Sequence, residues 1–172
     1  MSAARNPNHR VYLGVGSNIQ PQENLPRAIN LISKEVTIDK ISSVYQTQAV
    51  GSHGPDFLNA VVLVRTTLSC EQLKNTVIRE IEDTLGRIRT SDKNAPRTID
   101  IDILIIDDEM YDEDIWELAH LAIPLAELYP DYTHPITNKP LFHIAEYLSK
   151  SNPIIKRRIS LPRSTKISRV DL

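Results

Sequence analysis

Val11, Leu13 and Val15 alternate with other residue types over residues 9–16, the two-residue period of a short strand, and the run passes into Gly14-Val15-Gly16-Ser17-Asn18. Leu25, Ala28, Ile29 and Ile32 then recur at helical spacing, which predicts an amphipathic helix over residues 23–35. Residues 38–45 read as a second strand and residues 57–67, with Ala60-Val61-Val62-Leu63-Val64, as a third. Gly51, Gly54 and Pro55 mark a loop over 47–56 between them. Ser69-Cys70-Glu71-Gln72 has the form of a capping box, and Leu73, Val77, Ile81 and Leu85 follow at four-residue steps until Gly86 closes the helix. A fourth strand starts near Ile99, an acidic stretch covers 107–117, and Leu141, Ile144, Ala145 and Leu148 mark one face of a last helix. This order, β-α-β-β-α-β with C-terminal additions, predicts a ferredoxin-like α+β fold: an antiparallel sheet with helices packed on one side.

The fourth strand carries the strongest chemical signal. Asp100 and Asp102 are two residues apart and share a face, with roughly 7 Å between their Cβ atoms. Ile99, Ile101, Ile103 and Ile105 fill the other face, while Leu104 and Ile106 continue the aspartate face, so the two carboxylates stand where a buried face gives out. Ionised carboxylates there need a cation, a hydrogen bond or a metal. Arg87 and Arg89 lie upstream in Gly86-Arg87-Ile88-Arg89, and Arg97 stands just before the strand. Guanidinium groups facing paired carboxylates suit a polyanion held by arginines on one side and Mg²⁺ on the other, the requirement of phosphoryl or pyrophosphoryl transfer. The same residues also fit an internal ion-pair network that serves only the fold.

With 172 residues, 41% of them hydrophobic, the chain is long enough for one domain with a sizeable core, assigned to residues 1–151. From 152 to 172 six Lys or Arg residues face Asp171 alone, which reads as a mobile basic tail. A net charge of −2 argues against nucleic acid or an anionic membrane as partner. Cys70 is the single cysteine, and neither a signal core nor an apolar run of spanning length occurs, so the cytoplasm is the expected compartment. His53, His134 and His143 have no spacing to cysteine or carboxylate that suggests zinc.

Taken in order, Gly14-Val15-Gly16-Ser17-Asn18, Tyr45-Gln46-Thr47, Pro55-Asp56-Phe57-Leu58-Asn59, Gly86-Arg87-Ile88-Arg89 and Pro96-Arg97-Thr98-Ile99-Asp100-Ile101-Asp102 resemble the 6-hydroxymethyl-7,8-dihydropterin pyrophosphokinase family of folate biosynthesis, and Pro124-Leu125-Ala126-Glu127-Leu128 continues the match. The resemblance implies transfer of pyrophosphate from ATP to the hydroxymethyl group of a reduced pterin, with release of AMP. It implies two Mg²⁺ ions on Asp100 and Asp102, with Arg87, Arg97 and Asp100 as catalytic residues. It further implies pterin binding by Asn18, Thr47, Val50, Phe57, Asn59 and His120, and ATP binding by Arg79, Arg87, Arg89, Arg97 and Ile103.

The chain departs from the family pattern at three places. Asn94-Ala95 replaces a Trp-Gly pair, Arg79 occupies a position where glutamine is common, and the connection to Pro124 is short. In that connection Leu118 falls near an expected arginine and His120 where a second stacking aromatic would be. A non-catalytic or altered-specificity pterin-binding homologue is the alternative these departures leave open. An RNA-binding module of ferredoxin-like shape is disfavoured by the lack of a paired-aromatic strand.

Overall fold

Every backbone pairing of the central strand β1 (His9–Ser17) is antiparallel: on one side it meets β4 (Phe57–Thr66), on the other β5 (Asp100–Ile106). The computed structural model describes residues 8–49, 54–92 and 94–162; Val50, His53 and the tail from 163 lie outside the described residues. The sheet runs β6–β5–β1–β4–β3–β7, with β2 also on β4. Here β2 is Thr37–Ile41, β3 Val44–Thr47, β6 Glu109–Met110 and β7 Ile154–Arg157.

Alternation along β1 gives the sheet two faces. Val11, Leu13 and Val15 point into a core built with Leu25, Ala28, Ile29 and Ile32 of α1 (Pro21–Glu35) and with Leu73, Val77 and Ile81 of α2. Helix α2 runs from Cys70–Gln72 through a π-helical turn, Leu73–Ile78, into Arg79–Thr84. Its expected capping box is formed: Ser69 Oγ accepts the Gln72 N–H and Gln72 Oε1 accepts the Ser69 N–H. These two helices cover one side, as the β-α-β-β-α-β reading predicts. The C-terminal additions, α3 (Ala119–Leu128) and α4 (Leu141–Ser151), cover the opposite face around Tyr12, Val61, Leu63 and Leu104.

Four local features differ from expectation. The strand over 38–45 is two strands, because the buried Ser42 side chain accepts the Val61 N–H at 2.9 Å and interrupts the ladder. A bulge at Leu104 breaks the alternation of β5: Tyr12 pairs with Ile105 but Leu13 with Ile103. Ile105 therefore joins Leu104 on the α3 face, and Ile106 packs with the α1 face, the reverse of the simple alternation. Helix α3 escapes the pattern because Ala119, Leu121, Ala122, Pro124 and Leu125 are all buried, leaving little polar face to mark a period. Finally, the basic tail placed at 152–172 begins with a sheet strand, β7, which pairs with β3 and fills its outer edge. Lys156 reaches Glu127 on α3 at 3.0 Å, and Arg157 donates to Gln46 at 2.6 Å.

Candidate active site

Helix α3 begins only at Ala119, so it leaves the end of its sheet face open, and the aspartates are there. Asp100 and Asp102 lie opposite Gly16 and Gly14 of β1, and Gly16 in turn lies opposite Asn59 of β4. Asp100, Gly16 and Asn59 thus form a row across adjacent strands with no side chain in the middle. The gap is needed: a Cβ on Gly16 would lie 2.9 Å from Asn59 Oδ1, and one on Gly14 would press on Leu121 of α3 at 3.3 Å.

This row is the floor of a cleft whose walls include Thr47, Phe57, Arg97 and His120, together with Ala49 and Asn94. Asn59 is 5% exposed and donates through Nδ2 to Thr47 Oγ1 at 3.0 Å. Phe57 presents an aromatic ring to the same space. Burial pulls the His120 imidazole below its ordinary range despite Asp114, Asp100 and Asp112 nearby, so its neutral form is favoured. A flat heterocycle with a hydrogen-bonding edge suits such walls.

Next to the cleft the arginines are held by carboxylates. Arg87 and Arg97 both donate to Asp100, one to each oxygen. Arg87 also donates to the Ile99 carbonyl at 2.7 Å. Behind them Glu82, 5% exposed, accepts the Ile101 N–H at 3.0 Å and Arg89 at 2.6 Å, with Arg87 3.5 Å away. Burial raises the Glu82 carboxyl above its usual range, against the hydrogen bond from Ile101 and the two guanidinium charges. Glu82 was not singled out in the sequence; a carboxylate at a helix position two turns from Lys74 resembles an ordinary surface residue until its burial is seen.

Asp102 differs from Asp100. No donor among the described residues reaches its carboxylate. Its side chain is exposed and lines the cleft. Desolvation, then the charges of Asp100, Asp112 and Glu82, push its carboxyl up to about 7 against the opposing charge of Arg87. Such a group favours a proton or a bound cation. No cluster of three or more His, Cys, Asp or Glu side chains that would cage a metal occurs among the described residues. Two carboxylates on one face fit Mg²⁺, which keeps waters and takes its remaining ligands from substrate phosphates.

A second cleft adjoins the first at Asp102. It runs along the outer edge of β5, where β6 pairs only with Ile105 and Ile106, and is lined by Lys74, Ile78, Ile101, Ile103 and Tyr111. Ile103, expected at the ATP site, is therefore here, although its side chain is 5% exposed and belongs mainly to the core. Arg79 is exposed on α2 and lines neither cleft; Lys74 takes that side instead. Lys74 and Tyr111 were absent from the sequence reading, since only the fold brings the middle of α2 beside the segment after β6.

Asn18 is likewise not a cleft wall. It is 2% exposed and both ends of its amide are engaged, Nδ2 with the Pro55 carbonyl at 3.3 Å and Oδ1 with the Arg97 N–H at 2.7 Å. It ties the loop before β4 to the loop before β5. Trp116 covers the core: it stacks on Tyr132 and donates to Met110 Sδ. His134 accepts the N–H groups of Ile136 and Thr137, a local structural role.

A family model described as 7,8-dihydro-6-hydroxymethylpterin-pyrophosphokinase (HPPK) matches residues 12–130. The chain is 32% identical over 149 residues to a Synechocystis protein named 2-amino-4-hydroxy-6-hydroxymethyldihydropteridine pyrophosphokinase, covering 80% of this chain and 75% of that one. It is 36% identical over 141 residues to an Aquifex aeolicus protein of the same name, covering 76% and 87%. Among solved structures, wild-type Plasmodium falciparum HPPK-DHPS with pteroate superposes with a TM-score of 0.68 at 13% identity. That match covers 86% of this chain and 44% of the longer one, and it supports the fold.

Proposed function

The chain belongs to the 7,8-dihydro-6-hydroxymethylpterin-pyrophosphokinase family, and we propose that it transfers the β,γ-pyrophosphate of ATP to the hydroxymethyl oxygen of a reduced pterin held in the first cleft. In that reaction the hydroxymethyl oxygen forms a bond to the β-phosphorus, the bond from that phosphorus to the α,β-bridging oxygen breaks, and AMP leaves. The hydroxyl proton is lost to solvent or to a phosphate oxygen.

Asn59 and Thr47 would read the edge of the pterin, with Phe57 on one face of the ring and the neutral His120 beside it. The triphosphate would cross Asp102 from the second cleft toward the first, where Arg87, Arg89 and Arg97 neutralise its charge. Asp100 and Asp102 would hold two Mg²⁺ ions, which when bound neutralise phosphate oxygens and orient the chain of phosphates. Positioning and electrostatics then supply most of the acceleration.

The observation that carries this reading is that both clefts meet at Asp102, a carboxylate with no hydrogen-bond or ion-pair partner among the described residues. A network serving only the fold would account for Asp100, which has two guanidinium partners, but leaves Asp102 without a purpose. The test is incubation with ATP, Mg²⁺ and 6-hydroxymethyl-7,8-dihydropterin, following AMP and pyrophosphorylated pterin. Pterin-dependent AMP supports the reading; pterin binding without AMP would favour a non-catalytic homologue. Among the described residues no helix is long and apolar enough to cross a membrane.

A further inference from the structure

Tyr111 is an exposed aromatic on a fixed backbone. It is 52% exposed, yet its N–H donates to the Leu104 carbonyl at 2.9 Å, and the next residue, Asp112, donates to the same oxygen at 3.2 Å. These bonds attach the segment after β6 to the bulge of β5, two residues from Asp102. The Tyr111 side chain also meets Cys70 at the start of α2. The ring therefore stands at one wall of the second cleft, whose other walls include the apolar side chains of Ile78, Ile101 and Ile103.

We infer that Tyr111 is the aromatic platform on which the purine base of the nucleotide stacks. An exposed tyrosine costs little to order when its backbone is already pinned, and a purine stacked on it loses water from both faces. The inner end of the cleft at Asp102 leads to the arginines, so a base seated on Tyr111 directs its phosphates toward Arg87 and Arg97. This assignment rests on the pyrophosphokinase reading of the same site. It answers what supports the nucleotide in a chain where Arg79 lines neither cleft and the segment before Pro124 is short.

Calorimetric binding of Mg²⁺-ATP and of inorganic tripolyphosphate to the full chain, for the parent and for Tyr111→Ala, Tyr111→Leu and Tyr111→Phe, separates a base contact from a phosphate contact without requiring turnover. Tyr111→Ala and Tyr111→Leu should weaken ATP on the order of tenfold, the scale of one base–aromatic stack. Both should leave tripolyphosphate and pterin unchanged, and Tyr111→Phe should bind ATP as the parent does. In turnover the loss should appear in the KM for ATP with kcat preserved. Unchanged ATP affinity in Tyr111→Ala overturns the assignment, as does an equal loss for tripolyphosphate or a Tyr111→Phe as weak as the alanine variant. If those outcomes occur while the parent forms pyrophosphorylated pterin, the assignment fails alone. A parent that binds no ATP overturns it together with the pyrophosphokinase reading.

Discussion

Glu82 on α2 accepts the backbone N–H of Ile101, the residue between the two site aspartates, at 3.0 Å. At that point the outer edge of β5 has no neighbouring strand, so a buried carboxylate fills a backbone donor that the sheet leaves unpaired. The other oxygen of Glu82 holds Arg89, and Arg87 is within ion-pair distance. One side chain therefore orders both the aspartate strand and the arginine loop.

Glu82→Gln should keep the Ile101 hydrogen bond but remove the charge that faces Arg87 and Arg89, whereas Glu82→Ala loses both. We expect Glu82→Ala to destabilise by about 1–3 kcal/mol, the scale of leaving the buried Ile101 N–H unsatisfied, with Glu82→Gln clearly milder. Thermal melts read beside the KM for ATP check this. Equal stability losses in the two variants would mean the hydrogen bond to Ile101 contributes nothing.

Asp100 and Asp102 should respond differently to replacement by asparagine. Asp100→Asn removes the negative charge that Arg87 and Arg97 share and should destabilise the metal-free protein by about 1–3 kcal/mol, the scale of a lost charge-assisted hydrogen bond. Asp102→Asn removes a carboxylate without a protein partner and should leave stability equal or higher. Both should abolish turnover. Denaturant midpoints in the presence of a chelator, with turnover in parallel, decide between this split and a uniform effect.

Asp102 also sets a pH dependence. Its carboxyl titrates at about 7 in the folded chain against 3.8 when free, so the folded state binds the proton more tightly than the unfolded state. Metal-free protein should therefore lose stability as pH rises from about 4 to about 7, the penalty being complete above that window. Asp102→Asn should flatten this slope, and Mg²⁺ with an ATP analogue should oppose it. Urea unfolding at pH 5.5 and pH 8 is the measurement; a parent slope that survives in Asp102→Asn assigns it to another group.

Glu127 gives the opposite sign. Burial works against its charge, but hydrogen bonds from Tyr45, the Ser43 N–H and Lys156 outweigh it and hold the carboxyl below its usual range. Its stabilisation is present above the unfolded carboxylate range and is lost as pH falls through the folded value. Glu127→Gln should cost about 1–3 kcal/mol near neutrality and much less in acid. Because Glu127 ties α3 to β3 and β7, the variant should also weaken the pterin by moving His120 relative to Thr47, which titration calorimetry detects.

The pterin side is tested at Asn59 and Gly16. Asn59→Ala should weaken pterin binding by about 1–3 kcal/mol and leave ATP nearly unchanged. Gly16→Ala should act in the same direction, since its Cβ would displace the Asn59 amide. Matched losses for ATP and pterin would instead mark both residues as structural.

Much of this was readable along the chain, because it depends on neighbours in sequence. The alternation of Val11, Leu13 and Val15, the capping box at Ser69 and Gln72, and the Asp100/Asp102 spacing each follow from local geometry, and all are present in the structure. The order of the motifs supplied the family. What the sequence could not determine is how distant backbone groups are satisfied. The bulge at Leu104 depends on its register with Tyr12 and Leu13, and the break at Ser42 on a bond to Val61. Burial of Glu82 follows from the unpaired Ile101 N–H, and the two engaged ends of the Asn18 amide from loops brought together by folding. The second cleft exists because α2 and the segment after β6 approach the same open edge of β5, so Lys74 meets Asp102 and Tyr111 there although it is far from both in the chain. Periodicity records which face of an element is buried; only tertiary contacts decide which polar groups find each other, and that decides the site.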